Sequence, residues 1–463
     1  MTRTSIDLDS LRARLDGALV VPGDAGYDEA RRVWNGAIDR RPLAVVRCAS
    51  AEDVSAAVIF AREVGVEVTV RGGGHHPAGT SVADGALLID LRGLGGVRVD
   101  PGERKAWVGG GALLADLDRA TQEYGLAIPS GVVSHTGVGG LTLGGGMGWL
   151  TRRAGLSIDH LVAAQVVLAD GRIVRADSQT HTELLWALRG GGGNFGVVTE
   201  FEFTLHEAGP IVEYAMLFFG LDQLGEMLRV VRELVPELPT DVNVIFGALN
   251  APPAPFVPEA VRLQPGCALM VTGFGGVEQH QEVLDLFRKR LTPVFEMVTP
   301  MPYVALQQMI DEPNEHGVYA YEKGTRIAEL SDAVIEQFLE HVPRKQSPLS
   351  LALCYRLDGA FSAVDDDATA FGGPRAPHYQ LFLVGLSPVA EGLAAERDWV
   401  RDFWFGLEPH SGLAGSYVNG QVEIDGSELR AIYGAKLDRL AAVKATYDPY
   451  NVFHYNANIV PAS

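Results

Sequence analysis

The chain has 463 residues, 38 basic and 58 acidic, for a formal net charge of −20, with 47% apolar and 21% charged residues; this ordinary globular composition excludes a fibrous or largely disordered chain. At roughly 150 residues per domain the length predicts about three units, and the acidic surplus, uninterrupted by any Lys/Arg-rich run, argues against nucleic acid as a partner. The start, Met1 to Asp9, has no apolar stretch behind its positive charge, and no run of about eighteen apolar residues follows, so neither a secretory leader nor a membrane span is read and the cytoplasm is the expected compartment. Three scattered cysteines, Cys48, Cys267 and Cys354, supply neither a disulfide framework nor a CxxC metal knuckle.

In chain order, Leu43 to Cys48 reads as a buried strand, and Ser50 with Asp53 three residues on offers a start resembling a capping box for the next helix. Gly65 ends that helix. Strand Val66–Val70 then runs into Arg71-Gly72-Gly73-Gly74-His75-His76-Pro77. Ala86–Leu91 is a strand, and Val97–Asp100 pairs with Lys105–Val108 across Pro101-Gly102. A helix from Ala112 to about Tyr124 leads through Pro129-Ser130-Gly131 to a second glycine run, Gly137 to Gly148. A hairpin about Asp170-Gly171 and a helix, Thr182–Leu188, precede the third, Arg189-Gly-Gly-Gly-Gly-Asn-Phe-Gly196, which opens strand Val197–Leu205.

These runs sit between apolar segments, unlike flexible linkers. Gly191, Gly193 and Gly196 satisfy G-x-G-x-x-G, but after a helix and before a strand, the reverse of a dinucleotide fingerprint on a doubly wound sheet. A Gly-Lys pair, needed for a triphosphate loop, is absent from the sequence. What remains is three loops rich in unhindered N–H groups, suited to cradle a diphosphate. His75 and His76, adjacent in extended chain, point apart and make a poor metal pair; no metal is expected.

Taken together, Arg71-Gly-Gly-Gly-His75, Gly137-Val-Gly-Gly-Leu-Thr-Leu-Gly-Gly-Gly146, Leu185-Trp-Ala-Leu-Arg-Gly-Gly-Gly-Gly-Asn-Phe-Gly196, Tyr417-Val-Asn419 and the tail Tyr447 to Asn458 resemble the berberine-bridge-enzyme-like flavoproteins of the vanillyl-alcohol-oxidase and p-cresol-methylhydroxylase superfamily, over nearly the whole chain. The resemblance implies an α+β fold: a two-part FAD-binding domain, residues 1–208 and 414–463, with a substrate domain, 209–413, built on an antiparallel sheet flanked by helices. It implies FAD bonded covalently to His75. The second attachment point falls on Val133, which has no thiol, so a single linkage is expected; Thr136 falls where relatives tune oxygen access. The cofactor-binding residues it implies are Arg71, Gly72, Gly73, Gly74, His75, His76 and Gly79 in the first motif, and Gly131, His135, Thr136, Gly137, Gly139, Gly140, Thr142, Gly145 and Gly146 around the second. Gly193, Asn194 and Val198 follow in the third, and Tyr455, Asn456 and Asn458 in the tail.

Hydride removal from a C–H next to O or N also needs a base for the hydroxyl or amine proton. Tyr417 is the first candidate and Tyr379, on a substrate-domain strand, the second. Asn456 and Asn458, two apart on an extended segment, are expected on one side. Tyr303, Tyr319, Tyr321, Tyr355 and Trp404 are further candidates for the pocket wall. The implied activity is that of an oxidase acting on a small organic substrate with O2 as acceptor and hydrogen peroxide as product. A dehydrogenase with another acceptor, or a flavin-binding protein without activity, are the alternatives. Substrate identity and the choice between monomer and homo-oligomer stay open.

Overall fold

The computed structural model describes residues 6–463; the first five, part of the stretch read as lacking a leader, lie outside the described residues. The chain opens with a four-stranded sheet in the spatial order Ala18–Val20, Ala44–Arg47, Leu87–Asp90, Val68–Arg71. Its last three strands run parallel, and a parallel pair needs a crossover, here the helix Ala51–Val64. Ser50 caps that helix by accepting from the Asp53 N–H at 3.2 Å, but Asp53 does not close the expected box. Its carboxylate accepts instead from the backbone N–H groups of Asp16, Gly17 and Ala49 at 2.8–3.0 Å, tying the N-terminal segment to the helix.

An antiparallel five-stranded sheet follows in the order Val97–Asp100, Lys105–Gly109, Val197–Thr204, Leu161–Val167, Ile173–Ala176, with both expected hairpins in register. The helix expected over Ala112–Tyr124 spans Leu114–Gln122, and Thr182–Leu188 forms as expected. The second glycine run is not a loop: Val138–Gly144 is a short helix. Its glycines let that helix lie directly on neighbouring backbone. A Cβ on Gly137 would run into Gly73, and one on Gly73 into Gly137, so two of the runs meet main chain to main chain.

From Ile211 an antiparallel seven-stranded sheet is laid out in the order Phe295–Pro302, Ile211–Gly220, Pro265–Gly273, Val242–Asn250, Leu351–Leu357, His378–Ser387, Tyr319–Ile327. One face is covered by the helices Leu224–Leu234, Val277–Arg288, Asp332–His341 and Leu393–Leu407. Successive strand residues point to opposite faces, so Tyr379, Leu381 and Leu383 pack under those helices while Phe382 and Val384 face away. The closing helices Gly426–Tyr433 and Lys436–Tyr447 return to the core formed by the five-stranded sheet. No helix of the described residues is long and apolar enough to cross a membrane.

Candidate active site

The uncovered face of the large sheet and the glycine runs enclose a cavity of about 520 Å³, within the size range of cofactor and small-molecule sites. The first run contributes Gly72, Gly73, Gly74, His75 and His76; the second contributes Thr136, Gly137, Gly139 and Gly140, with Gly131 just ahead. Gly193, Asn194 and Val198 line it from the third run, Tyr455 and Asn456 from the tail, and Tyr417 from the turn before the last helices. Among the described residues, the backbone N–H groups of Gly73, Gly74, His75 and His76 donate to no acceptor within the chain, which leaves them free for a ligand.

His75 lies between the Trp34 ring (centroids 4.6 Å apart) and the His135 ring (4.9 Å), with His316 beyond at 5.1 Å from His135. Trp34 is itself fixed: its indole N–H donates to the Asn314 carbonyl at 2.7 Å. Burial, reinforced by the two neighbouring imidazoles, pulls the His75 pKa down to about 3, so the ring is neutral, and its Nε2 is buried without a partner. His76 is pulled down to about 4 by burial. Its Nδ1 accepts from the Ala78 N–H at 3.2 Å, and it reaches the Val418 carbonyl on the turn that carries Tyr417.

Tyr417 is held by its oxygen. The Gly146 N–H donates to it at 2.8 Å and the Asn419 side-chain amide at 2.9 Å, while Asn419 Nδ2 also reaches the Leu141 carbonyl at 3.0 Å. Gly146 has φ +82°, a conformation that aims its N–H at the phenol and favours glycine. Burial pushes Tyr417 up to about 12, the two donors opposing that rise. Glu322, from strand Tyr319–Ile327, opens into the same cavity; burial alone pushes it up to about 8.

Several expectations are corrected. Arg71 does not line the cavity: it is buried in an ion pair with Asp90 at 2.6 Å and donates to the Arg32 carbonyl. Gly79 turns the chain away after His76, bonding back to its carbonyl at 2.9 Å. His135, Gly145 and Gly146 stand one layer behind the wall, the first tilted against the His75 ring and the glycines against Tyr417. Thr142 lies on the buried face of its helix. Asn458 and Asn456 do not share a side, because the chain bends over Tyr455–Ala457 instead of running extended; Asn456 faces the cavity and Asn458 does not. Tyr379 is excluded as a base by strand alternation, which packs it against Phe246 under the helices. Of the additional aromatics only Tyr355 reaches the cavity. Tyr321 and Trp404 lie on the helix side of the sheet and Tyr303 is buried beside Asp118. Sequence reasoning missed Trp34, a lone aromatic far from any glycine run, and Glu322. Glu322 shares its strand with Lys323, Thr325 and Arg326, so its charge does not single it out, and register alone shows which face it takes.

A family model described as an FAD binding domain matches residues 42–177, and one described as berberine and berberine like matches residues 416–460. An FAD-linked oxidoreductase of Dictyostelium discoideum is 31% identical over 455 residues, covering 96% of this chain and 95% of the relative. The chain belongs to the berberine-bridge-like FAD-linked oxidoreductases. Among solved structures, 6-hydroxy-D-nicotine oxidase from Arthrobacter nicotinovorans superposes with a TM-score of 0.83 at 26% identity, covering 97% of this chain and 98% of that one. BBE-like 1 of Physcomitrella patens shares the fold with a TM-score of 0.87 at 23% identity, covering 99% of both chains.

The cavity of this berberine-bridge-like oxidoreductase fits FAD. The unpaired Nε2 of His75, the unused N–H groups of the first run and the unpaired Oδ1 of Asn456 are the polar groups that a large dinucleotide would satisfy. Val133 lines the cavity, and the three thiols, all buried elsewhere in the core and pushed up in pKa by burial, are not within it.

Proposed function

We propose that this protein is an oxidase that removes a hydride from a C–H next to O or N of a small organic molecule, with FAD bonded once, through His75, and O2 as the final acceptor. Residues 1–208 and 414–463 hold the cofactor in this reading and 209–413 cover the substrate. The observation that carries it is that the His75 ring and the Tyr417 ring open into one cavity from opposite parts of the chain. Bound FAD supplies the acceptor for the electron pair and its reoxidation by O2 to hydrogen peroxide.

The chain's own residues supply the rest. A tether at His75 needs an imidazole lone pair, and burial keeps that ring unprotonated. The glycine-run N–H groups bind the diphosphate, and Asn456 and Tyr455 close the tail over the site. Pushed up to about 12 by burial, Tyr417 keeps its own proton at neutral pH and does not serve alone as the base. Beside it, Glu322 has an affinity for a proton suited to pH 7–8. Tyr417 therefore contacts the substrate hydroxyl or amine as a neutral phenol, its oxygen held in place by the N–H groups of Gly146 and Asn419, and Glu322 holds the proton released. Stopped-flow mixing of the substrate-reduced protein with air-saturated buffer tests the oxidase reading. Reoxidation within seconds is expected, and reduced flavin that persists for minutes would assign the electrons to another acceptor.

A further inference from the structure

The half of the cavity under the large sheet has a chemistry of its own. Glu322 is half-buried and lines the cavity, and among the described residues no Lys, Arg or His pairs with its carboxyl. The adjacent Lys323 turns to the opposite face, where its ammonium lies 4.3 Å from the Trp404 ring and 3.6 Å from Glu428. The titratable groups that sense Glu322 are two phenols, Tyr355 on strand Leu351–Leu357 and Tyr417. Phe382 stands edge-on to both, with ring centroids 5.5 Å from Tyr355 and 6.1 Å from Tyr417. Val384, directly across the sheet from Glu322, Leu351 and Leu353 complete that wall. Apart from Glu322 and the two phenols, the polar side chain nearby is Gln421, whose amide N–H donates to the Gly324 carbonyl at 2.8 Å and whose Oε1 has no partner; a polyhydroxylated substrate would find few hydrogen-bonding partners on so apolar a wall.

A buried carboxylate without a cation is costly, whereas aromatic faces attract one. Resting on the flavin-oxidase reading, we infer that the substrate is an amine bound as its ammonium ion, paired with Glu322 and enclosed by Tyr355, Phe382 and Tyr417. An ammonium nitrogen has no lone pair with which to form a C=N bond, so one N–H bond breaks first and its proton passes to the Glu322 carboxylate. The neighbouring C–H bond then breaks, its hydrogen leaving with the bonding electron pair to the bound FAD, while the nitrogen lone pair forms the C=N bond. The product is an iminium cation, and the proton on Glu322 leaves to water, restoring a carboxylate opposite the new charge.

The test is calorimetric binding to the flavin-loaded protein of benzyltrimethylammonium, which has neither N–H nor lone pair and is not turned over, beside its neutral isostere neopentylbenzene and the neutral sugar cellobiose. At pH 8 the cation is expected to bind roughly 100-fold more tightly than the isostere, and Glu322→Gln to bring the two within about threefold while leaving the isostere's affinity unchanged. Burial holds the carboxyl near 8, so below that pH cation binding must expel its proton, and the affinity is expected to fall about tenfold per pH unit. Equal affinity for cation and isostere, a preference that survives Glu322→Gln, or cellobiose binding where the cation does not would each overturn the inference. The visible spectrum of the same sample separates the two levels: yellow protein without cation preference refutes only this assignment, whereas colourless protein refutes the flavin reading and this one with it.

Discussion

Tyr417 shows how strongly a side chain's chemistry depends on its immediate partners. Its phenol oxygen accepts from one backbone and one side-chain N–H, an arrangement that favours phenolate, yet burial outweighs both donors and the group stays a poor acid. Removing the hydroxyl with Tyr417→Phe should slow flavin reduction by about 100-fold or more in single-turnover stopped flow; an unchanged rate would move substrate contact to another residue. Glu322 sets the pH dependence. Its carboxyl must be ionised to accept a proton, and burial raises its pKa to about 8, so activity is lost as pH falls. The second-order rate constant for reduction should rise about tenfold per pH unit up to roughly pH 8 and then level. Glu322→Gln should lower the rate and abolish that limb, and a limb that survived the substitution would belong to another group.

At the scale of elements, most helices and strands were legible because their signals are local. Ser50 caps a helix with its own hydroxyl, Thr182–Leu188 forms over the residues expected, and the turns at Pro101-Gly102 and Asp170-Gly171 set both hairpins. The glycine run Gly137–Gly148 was misread as a loop because intrinsic propensity disfavours glycine in helices. Packing overrides it: close contact with Gly73 requires residues without side chains. Tyr379 and Glu322 were misjudged and missed for the same reason, since which face of a strand a residue takes follows from register in the whole sheet. Asp53 carries a prediction at this scale. Its buried carboxylate satisfies three backbone N–H groups from two segments, so Asp53→Ala should cost about 3 kcal/mol in urea unfolding with the flavin spectrum unchanged, because none of these groups lines the cavity.

Across the whole molecule, the site exists only where distant parts of the chain are clasped. Trp34 and Asn35 bond to the segment Asn314–Ala320, Ser134 holds both oxygens of Asp311 at 2.8 and 2.6 Å, and Arg375 pairs with Asp159 at 2.7 Å. The tail is fixed by Lys444, whose fully buried ammonium donates to Asp448 and to the carbonyls of Asn194 and Phe453 at 2.6–2.9 Å. Lys444→Ala leaves the buried Asp448 carboxylate without its cation, held only by the N–H groups of Val452 and Phe453, and should destabilise the fold by roughly 3–5 kcal/mol, seen as a lower urea midpoint. Apart from the bonds of Lys444 to Asp448 and Phe453, these clasps join residues 177 to 285 positions apart, which no local pattern announces. The central claim is that the cavity so assembled holds flavin on His75, and acid precipitation of the purified protein beside His75→Ala tests it most directly. The account predicts that the yellow colour stays in the wild-type pellet and passes to the supernatant for the variant, whereas colour released to the supernatant from both would contradict it.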